Sequence, residues 1–197
     1  MTRIPPLAPA EAFGGDENAE FARELMGYVP NSVLTMAHWP ELLTAFRGLV
    51  AVIYGESKLD NGFKRLIGHA ASLAAGCRYC QAHTAHGAEG LGVSEAKLSA
   101  LYDFEGSEEF TEAERAALAL AFAAGATPNA AEDAHFARLS EHYSHAEQVE
   151  IMAVISMFGF LNRWNDTLAT SLEAEPLKHA ETMLTGHGWE AGRHLRD

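Results

Sequence analysis

The sequence predicts an all-α fold, on three observations. Apolar residues recur at helical spacing through most of the chain, two S/T-x-x-E start signals stand directly before apolar runs, and convincing alternating segments are absent. With 197 residues and 48% of them in the hydrophobic set, the chain can bury a full core.

The elements follow in order. Residues 1–15, rich in Pro and Ala, lack periodicity and read as an N-terminal arm that covers a neighbouring subunit or stays mobile. A short helix is expected near Ala19–Tyr28. Pro40 suits the first turn of the next, because its missing N–H costs nothing there, and Leu42, Phe46, Leu49, Val50 and Ile53 mark the expected buried stripe. A helix from near Asp60 to Ala75 should bury Phe63, Leu66, Ile67, Ala70, Leu73 and Ala74 before Gly76 breaks or kinks it.

The segment CRYCQAHTAHGAEG then opens another helix, which Gly87, Gly90 and Gly92 bring to an end. Short helices are expected at Ser94–Leu101 and Ala131–Tyr143. Thr111 with Glu114 and Ser144 with Glu147 match the capping box, in which a hydroxyl and a carboxylate satisfy free backbone donors at a helix start. After the second box, Val149, Met152, Ala153, Ser156, Met157 and Phe160 predict one buried face.

An offset of 84 residues sets Ile67, Ser72 and Leu73 against Ile151, Ser156 and Met157, and suggests two related helical halves. Leu161 and Trp164 then take the places of Cys77 and Cys80, which leaves thiol chemistry to the first half. Residues 16–184 read as one helical domain, and residues 185–197, with Gly186, Gly188 and Gly192, as a tail.

Charge and composition exclude several classes. There are 27 Asp plus Glu against 14 Lys plus Arg, a formal charge of −13, and no basic cluster fit to neutralise a run of phosphates, so nucleic acid is not an expected partner. No signal peptide is legible, and no apolar run reaches the ~18 residues of a membrane span. A cytoplasmic protein is expected.

The two cysteines stand together as Cys77-Arg78-Tyr79-Cys80, too close to staple a secreted fold. Cys77, Cys80, His83 and His86 recur every three residues, so a metal site and a redox thiol pair compete. On a helix rising about 1.5 Å per residue, Cys77 and His86 lie roughly 13 Å apart along the axis, too far for one tetrahedral ion. A partial site on Cys80 and His83 stays open, but no second Cys pair supports it, and no metal or cofactor is expected.

The redox reading needs a cysteine with thiolate character, a second thiol near it and a proton acceptor. Cys77 and Cys80 fall one turn apart at a helix start, where unpaired N–H groups favour a negative sulfur. His83 follows Cys80 by one turn and lies far round the helix from Cys77. Cys80 is therefore the expected attacking thiolate, His83 its base or hydrogen-bond partner, and Cys77 the resolving thiol.

At these residues the sequence resembles the carboxymuconolactone decarboxylase superfamily, in its AhpD-like, peroxidase-related branch. LIGHAASLAAGCRYCQAHT resembles the core helix, thiol pair and following histidine of that branch, and FGFLNRWNDTLATSLE its aromatic-Asn-Arg segment. The resemblance implies an all-helical homo-oligomer, a dimer, trimer or hexamer. It also implies peroxidase or disulfide-reductase activity, in which the second cysteine reacts with a hydroperoxide, the first resolves it, and an external thiol or dithiol reduces the pair.

Two positions depart from the branch. Its relay Glu, twelve residues before the first cysteine, is Arg65 here, and its relay His, four after the second, is Thr84, with His83 one earlier. His69 is an alternative proton carrier or a satisfied core residue. His86 and Glu89 are expected on a solvated face, and Arg163 at a helix end or interface. A non-catalytic redox sensor and a lactone decarboxylase remain rival readings.

Overall fold

The computed structural model describes residues 2–18, 20 and 28–195, and among them regular structure is entirely helical. The helices are α1 (Pro9–Phe13), α2 (Asn31–Met36), α3 (Pro40–Ile53), α4 (Asn61–Ala75), α5 (Arg78–Glu89), α6 (Glu95–Ala100), α7 (Glu112–Gly125), α8 (Asp133–Ser140), α9 (His145–Leu168) and α10 (Ala174–Met183). Short 3-10 turns occupy Leu101–Asp103, Thr185–His187 and Gly192–His194. Most of the helix expected near Ala19–Tyr28 lies outside the described residues.

α4 is the central element, packed by α5, α7 and α9, while α10 lies along α5. Its sequence explains that position: Leu66, Ile67, Ala70 and Ala71 are buried, and two small residues let neighbours close in. Gly68 lies beneath the Phe158 ring of α9, where a Cβ would fall well inside contact distance of the ring carbons. Gly125 of α7 likewise faces the Ala71 backbone, 2.7 Å from its carbonyl oxygen to an added Cβ.

Both expected capping boxes form, at Thr111–Glu114 for α7 and Ser144–Glu147 for α9. Pro40 occupies the first turn of α3, and Asp60 caps α4 by accepting the Phe63 N–H at 3.0 Å. Gly76 ends α4 in the left-handed region, at φ 75°, with its N–H returned to Ser72 and Leu73. This turn brings α5 back onto α4, and it is open to glycine because no Cβ opposes that φ.

The buried faces differ from expectation on two helices. α9 buries Ile151, Val154, Ile155, Phe158, Asn162, Asn165 and, as expected, Met157, whereas Val149 is 68% exposed and Ser156 and Phe160 also face outward. Residues 149–161 are apolar almost all round, so periodicity alone does not choose a face, and the approach of Gly68 does. On α3, Leu43, Phe46 and Ile53 are buried, but Leu49 is exposed.

The 84-residue offset meets a similar difference. Ser72 is buried and Ser156 exposed, and where α4 stops at Gly76 the later helix α9 runs on to Leu168. The arm, expected to cover a neighbouring subunit or stay mobile, and the tail both make contacts within their own chain. Arg3 N–H bonds the Leu168 carbonyl at 2.9 Å, and the Thr2 and Ser171 hydroxyls meet at 2.6 Å. In the tail, Trp189 and His194 are buried, with Trp189 Nε1–H on the Arg78 carbonyl and His194 Nδ1 beside that of Thr170. Turns this short carry too few residues to show a period.

Candidate active site

The turn at Gly76 places Cys77 in the N-cap position of α5, where its Sγ accepts the Cys80 N–H at 3.4 Å. Both cysteines are free thiols, and both are buried. From α9, Asn165 Nδ2 reaches Cys80 Sγ at 3.5 Å. Burial pushes the Cys80 thiol well above its ordinary value, the neighbouring Cys77 adds to this, and the Asn165 amide opposes it. Cys80 therefore rests as a neutral thiol.

His83 lies one turn further along α5, with its side chain 14% exposed. Its Nε2 stands 2.6 Å from Glu173 Oε2 and its Nδ1 3.0 Å from the Tyr28 hydroxyl. The Tyr79 ring stacks on the imidazole at 4.2 Å between centroids, and the Tyr79 hydroxyl donates to Glu173 Oε1 at 2.9 Å. The Asn31 N–H donates to the same oxygen. Glu173 is the N-cap residue of α10, so helix geometry places its carboxylate at this spot.

The surroundings of Glu173 favour its carboxylate form. Burial by itself raises the Glu173 carboxyl, but the His83 imidazole and the Asn31 N–H outweigh it and hold the carboxyl below its usual value. Burial and the Glu173 charge both raise the Tyr28 phenol, which keeps it protonated. With its Nε2 facing Glu173, the His83 ring turns its Nδ1 to the Tyr28 hydroxyl.

Cys77, Cys80 and His83 thus stand on successive turns of one helix, but among the described residues no hydrogen bond joins His83 to either sulfur. The expected direct pairing of His83 with Cys80 is replaced by the charge-assisted bond to Glu173, a stronger partner than a neutral thiol. The Arg65 guanidinium rests on the Tyr54 ring at 4.3 Å and packs against Gly87. Thr84 is paired with His69, whose Nδ1 stands 2.7 Å from the Thr84 hydroxyl while that hydroxyl donates to the Cys80 carbonyl. His69 is fully buried, and burial lowers its imidazole to about 4, so it is neutral.

Glu173, Asn165, Tyr28 and Tyr79 were not singled out by the sequence. Glu173 and Asn165 both fall within FGFLNRWNDTLATSLE, and Glu173 stands where Ala-Glu-Pro signals a helix start. Nothing local tells that this carboxylate meets a histidine 90 residues earlier. A cleft of about 320 Å³ opens nearby, lined by Gly76, Arg78, Asp166 and Gly192–His194, and Asp166 adjoins Asn165 in sequence.

The same architecture occurs in solved structures. A cysteine-to-alanine variant of the debrominase Bmp8, in complex with 2,3,4-tribromopyrrole, is 35% identical over 93% of this chain and 98% of its own, with TM-score 0.84. A protein of unknown function from Agrobacterium tumefaciens is 26% identical over 71% of this chain and 95% of its own, with TM-score 0.65. An alkylhydroperoxidase AhpD core protein from Ralstonia eutropha JMP134, at 21% identity, 89% and 96% coverage and TM-score 0.74, shares the fold. No curated protein sequence matches the chain. The model of the carboxymuconolactone decarboxylase family matches residues 40–123, the stretch from α3 through the thiol helix to α7. With that match and these relatives, the chain belongs to the carboxymuconolactone decarboxylase superfamily, in its AhpD-like branch.

Proposed function

We propose that the protein is a dithiol oxidoreductase that reduces hydroperoxides through Cys80 and Cys77. The observation that carries the reading is the free thiol pair at the start of α5, one turn before a histidine held by a buried carboxylate. Cys80 sulfur attacks the terminal oxygen of ROOH, and the O–O bond breaks. The thiol proton goes to the leaving alkoxide, giving ROH and Cys80 sulfenic acid. Cys77 sulfur then displaces the hydroxyl as water, which closes a Cys77–Cys80 disulfide. An external thiol or dithiol, two electrons per turn, reopens it.

Because Cys80 rests protonated, turnover needs a route for its proton. The Tyr28–His83–Glu173 chain, whose imidazole stands one turn along α5, is the group assigned to take it. Working as a homo-oligomer is part of the proposal. Leu42, Leu49 and Val52 fall on one side of α3 at least partly exposed, and are suited to burial against a second copy.

A second reading has its own support. The similarity to the debrominase Bmp8 runs over 93% of this chain and 98% of that one, well beyond residues 40–123. Reductive debromination of a brominated pyrrole uses the same two thiols: ArBr plus two thiols gives ArH, HBr and a disulfide. The test supplies reduced protein with cumene hydroperoxide or a polybrominated pyrrole, together with a recycling dithiol, and measures loss of substrate and thiol oxidation. Peroxide turnover that depends on Cys80 supports the first reading. Bromide release without peroxide turnover replaces it with the second, and inertness toward both rejects the pair.

A further inference from the structure

Beyond His83, α5 carries His86 and Glu89, expected on a solvated face. Glu89 is exposed as expected and His86 half-buried, while α10 packs along α5 and its His179 meets both. His179 Nδ1 stands 3.1 Å from Glu89 Oε2, and the His86 and His179 rings lie 5.4 Å apart between centroids. One donor atom from each of the three residues lies within 4.8 Å of the others.

Two features separate this cluster from an ordinary helix-to-helix ion pair. The His179 side chain is only 9% exposed and its Nε2 is buried without a partner, and His86 Nδ1 is buried and unpartnered as well. Buried polar atoms are normally hydrogen-bonded, so adjacent imidazoles with idle nitrogens point to a missing ligand.

We propose that His86, Glu89 and His179 bind a divalent first-row transition metal, with Zn²⁺ the best match. His-x-x-Glu places two donors on one helix face, and α10 supplies the third. Two imidazoles and one carboxylate are borderline donors that fit zinc better than the oxygen-seeking Ca²⁺ or Mg²⁺. Donors on a tetrahedral zinc stand ~3.3 Å apart, given bonds of ~2.0–2.1 Å. Glu89 Oε2 and His179 Nδ1 already stand at that spacing, 3.1 Å apart, and closing the rest of the cluster calls for small side-chain rotations within its 4.8 Å span. Three protein ligands leave a fourth position for water or a small anion. The site is distinct from the thiol pair, which occupies the first turn of the same helix.

The experiment uses metal-free full-length protein carrying Cys77→Ser and Cys80→Ser, so that no thiol competes for zinc. Zn²⁺ is titrated by calorimetry, and Co²⁺ by visible absorption. One equivalent is expected to bind, with a nitrogen- and oxygen-only tetrahedral Co²⁺ spectrum. Adding Glu89→Gln, at a half-exposed position that leaves the core untouched, or His179→Gln should each weaken binding more than about ten-fold. Circular dichroism melting checks that each variant is folded. Absence of saturable binding in the thiol-free protein, or equal affinity in Glu89→Gln, overturns the site.

Discussion

Two successive turns of α5 have opposite surroundings. In the first, Cys77 and Cys80 are buried among apolar neighbours, and the polar contacts to their sulfurs are the weak ones from the Cys80 N–H and the Asn165 amide. In the second, His83 is partly open to solvent and held by a carboxylate, a phenol and a stacked ring. One turn is suited to keep sulfur reduced and protonated, the other to hold and pass a proton. The difference teaches that a single short helix can carry both tasks when its two turns are covered by different parts of the chain, α9 over the sulfur and the N-cap of α10 over the imidazole.

The largest effect should come from the sulfur turn. Cys80→Ser is expected to drop substrate consumption to the uncatalysed rate, while Cys77→Ser consumes one equivalent and leaves a sulfenic acid that dimedone traps and mass spectrometry detects. Full turnover in both variants would remove the dithiol cycle altogether.

Next comes the imidazole turn. If His83 and Glu173 move the thiol proton, Glu173→Gln should lower kcat by about 10²–10⁴-fold, as loss of acid-base catalysis does. Peptide-level thiol mapping would still show the disulfide forming slowly. A loss below ten-fold would break the division of labour between the two turns. The same variant also reports on stability. The native carboxyl lies below its unfolded value of ~4.3, so its contribution is present above that pH and lost as pH falls through the native value. Glu173→Gln should flatten that limb of a urea-midpoint profile.

Beneath both turns lies His69, neutral in the native state with its imidazole lowered to about 4. Between ~6.5 and about 4 the unfolded chain holds one proton more than the native one, so stability falls on acidification through that window, by about 3 kcal/mol at most. Urea unfolding at pH 7 and pH 4.5 measures it, and His69→Gln should abolish this component.

The smallest effect belongs to Asn165. Its amide is the group that favours the Cys80 thiolate, so Asn165→Ala should slow alkylation of Cys80 by iodoacetamide about ten-fold or less, the worth of one weak hydrogen bond. Faster alkylation would mean that access, rather than thiolate fraction, limits reaction at the sulfur turn.

How much of this was legible depends on the reach of each interaction. The capping boxes at Thr111 and Ser144, the start at Pro40 and the break at Gly76 involve residues a few positions apart, and each stands where the sequence places it. The adjacency of Cys77 and Cys80 is legible for the same reason. The face of α9 was not, because its apolar residues nearly encircle the helix and the Gly68–Phe158 contact selects among them. His83 could be named, but its partner could not.

By itself, then, the sequence determined an all-helical chain, the positions of its main helix starts and a thiol pair at the head of one helix, since all of these follow from backbone geometry and contacts within a turn. The tertiary structure decided that Glu173 rather than Cys80 holds His83, that Asn165 touches the sulfur, that arm and tail fold back on their own chain, and that His179 meets His86 and Glu89. Each of these joins residues far apart in the chain. Such pairs are set by how helices pack around α4, and no local period records which side chains that packing brings together.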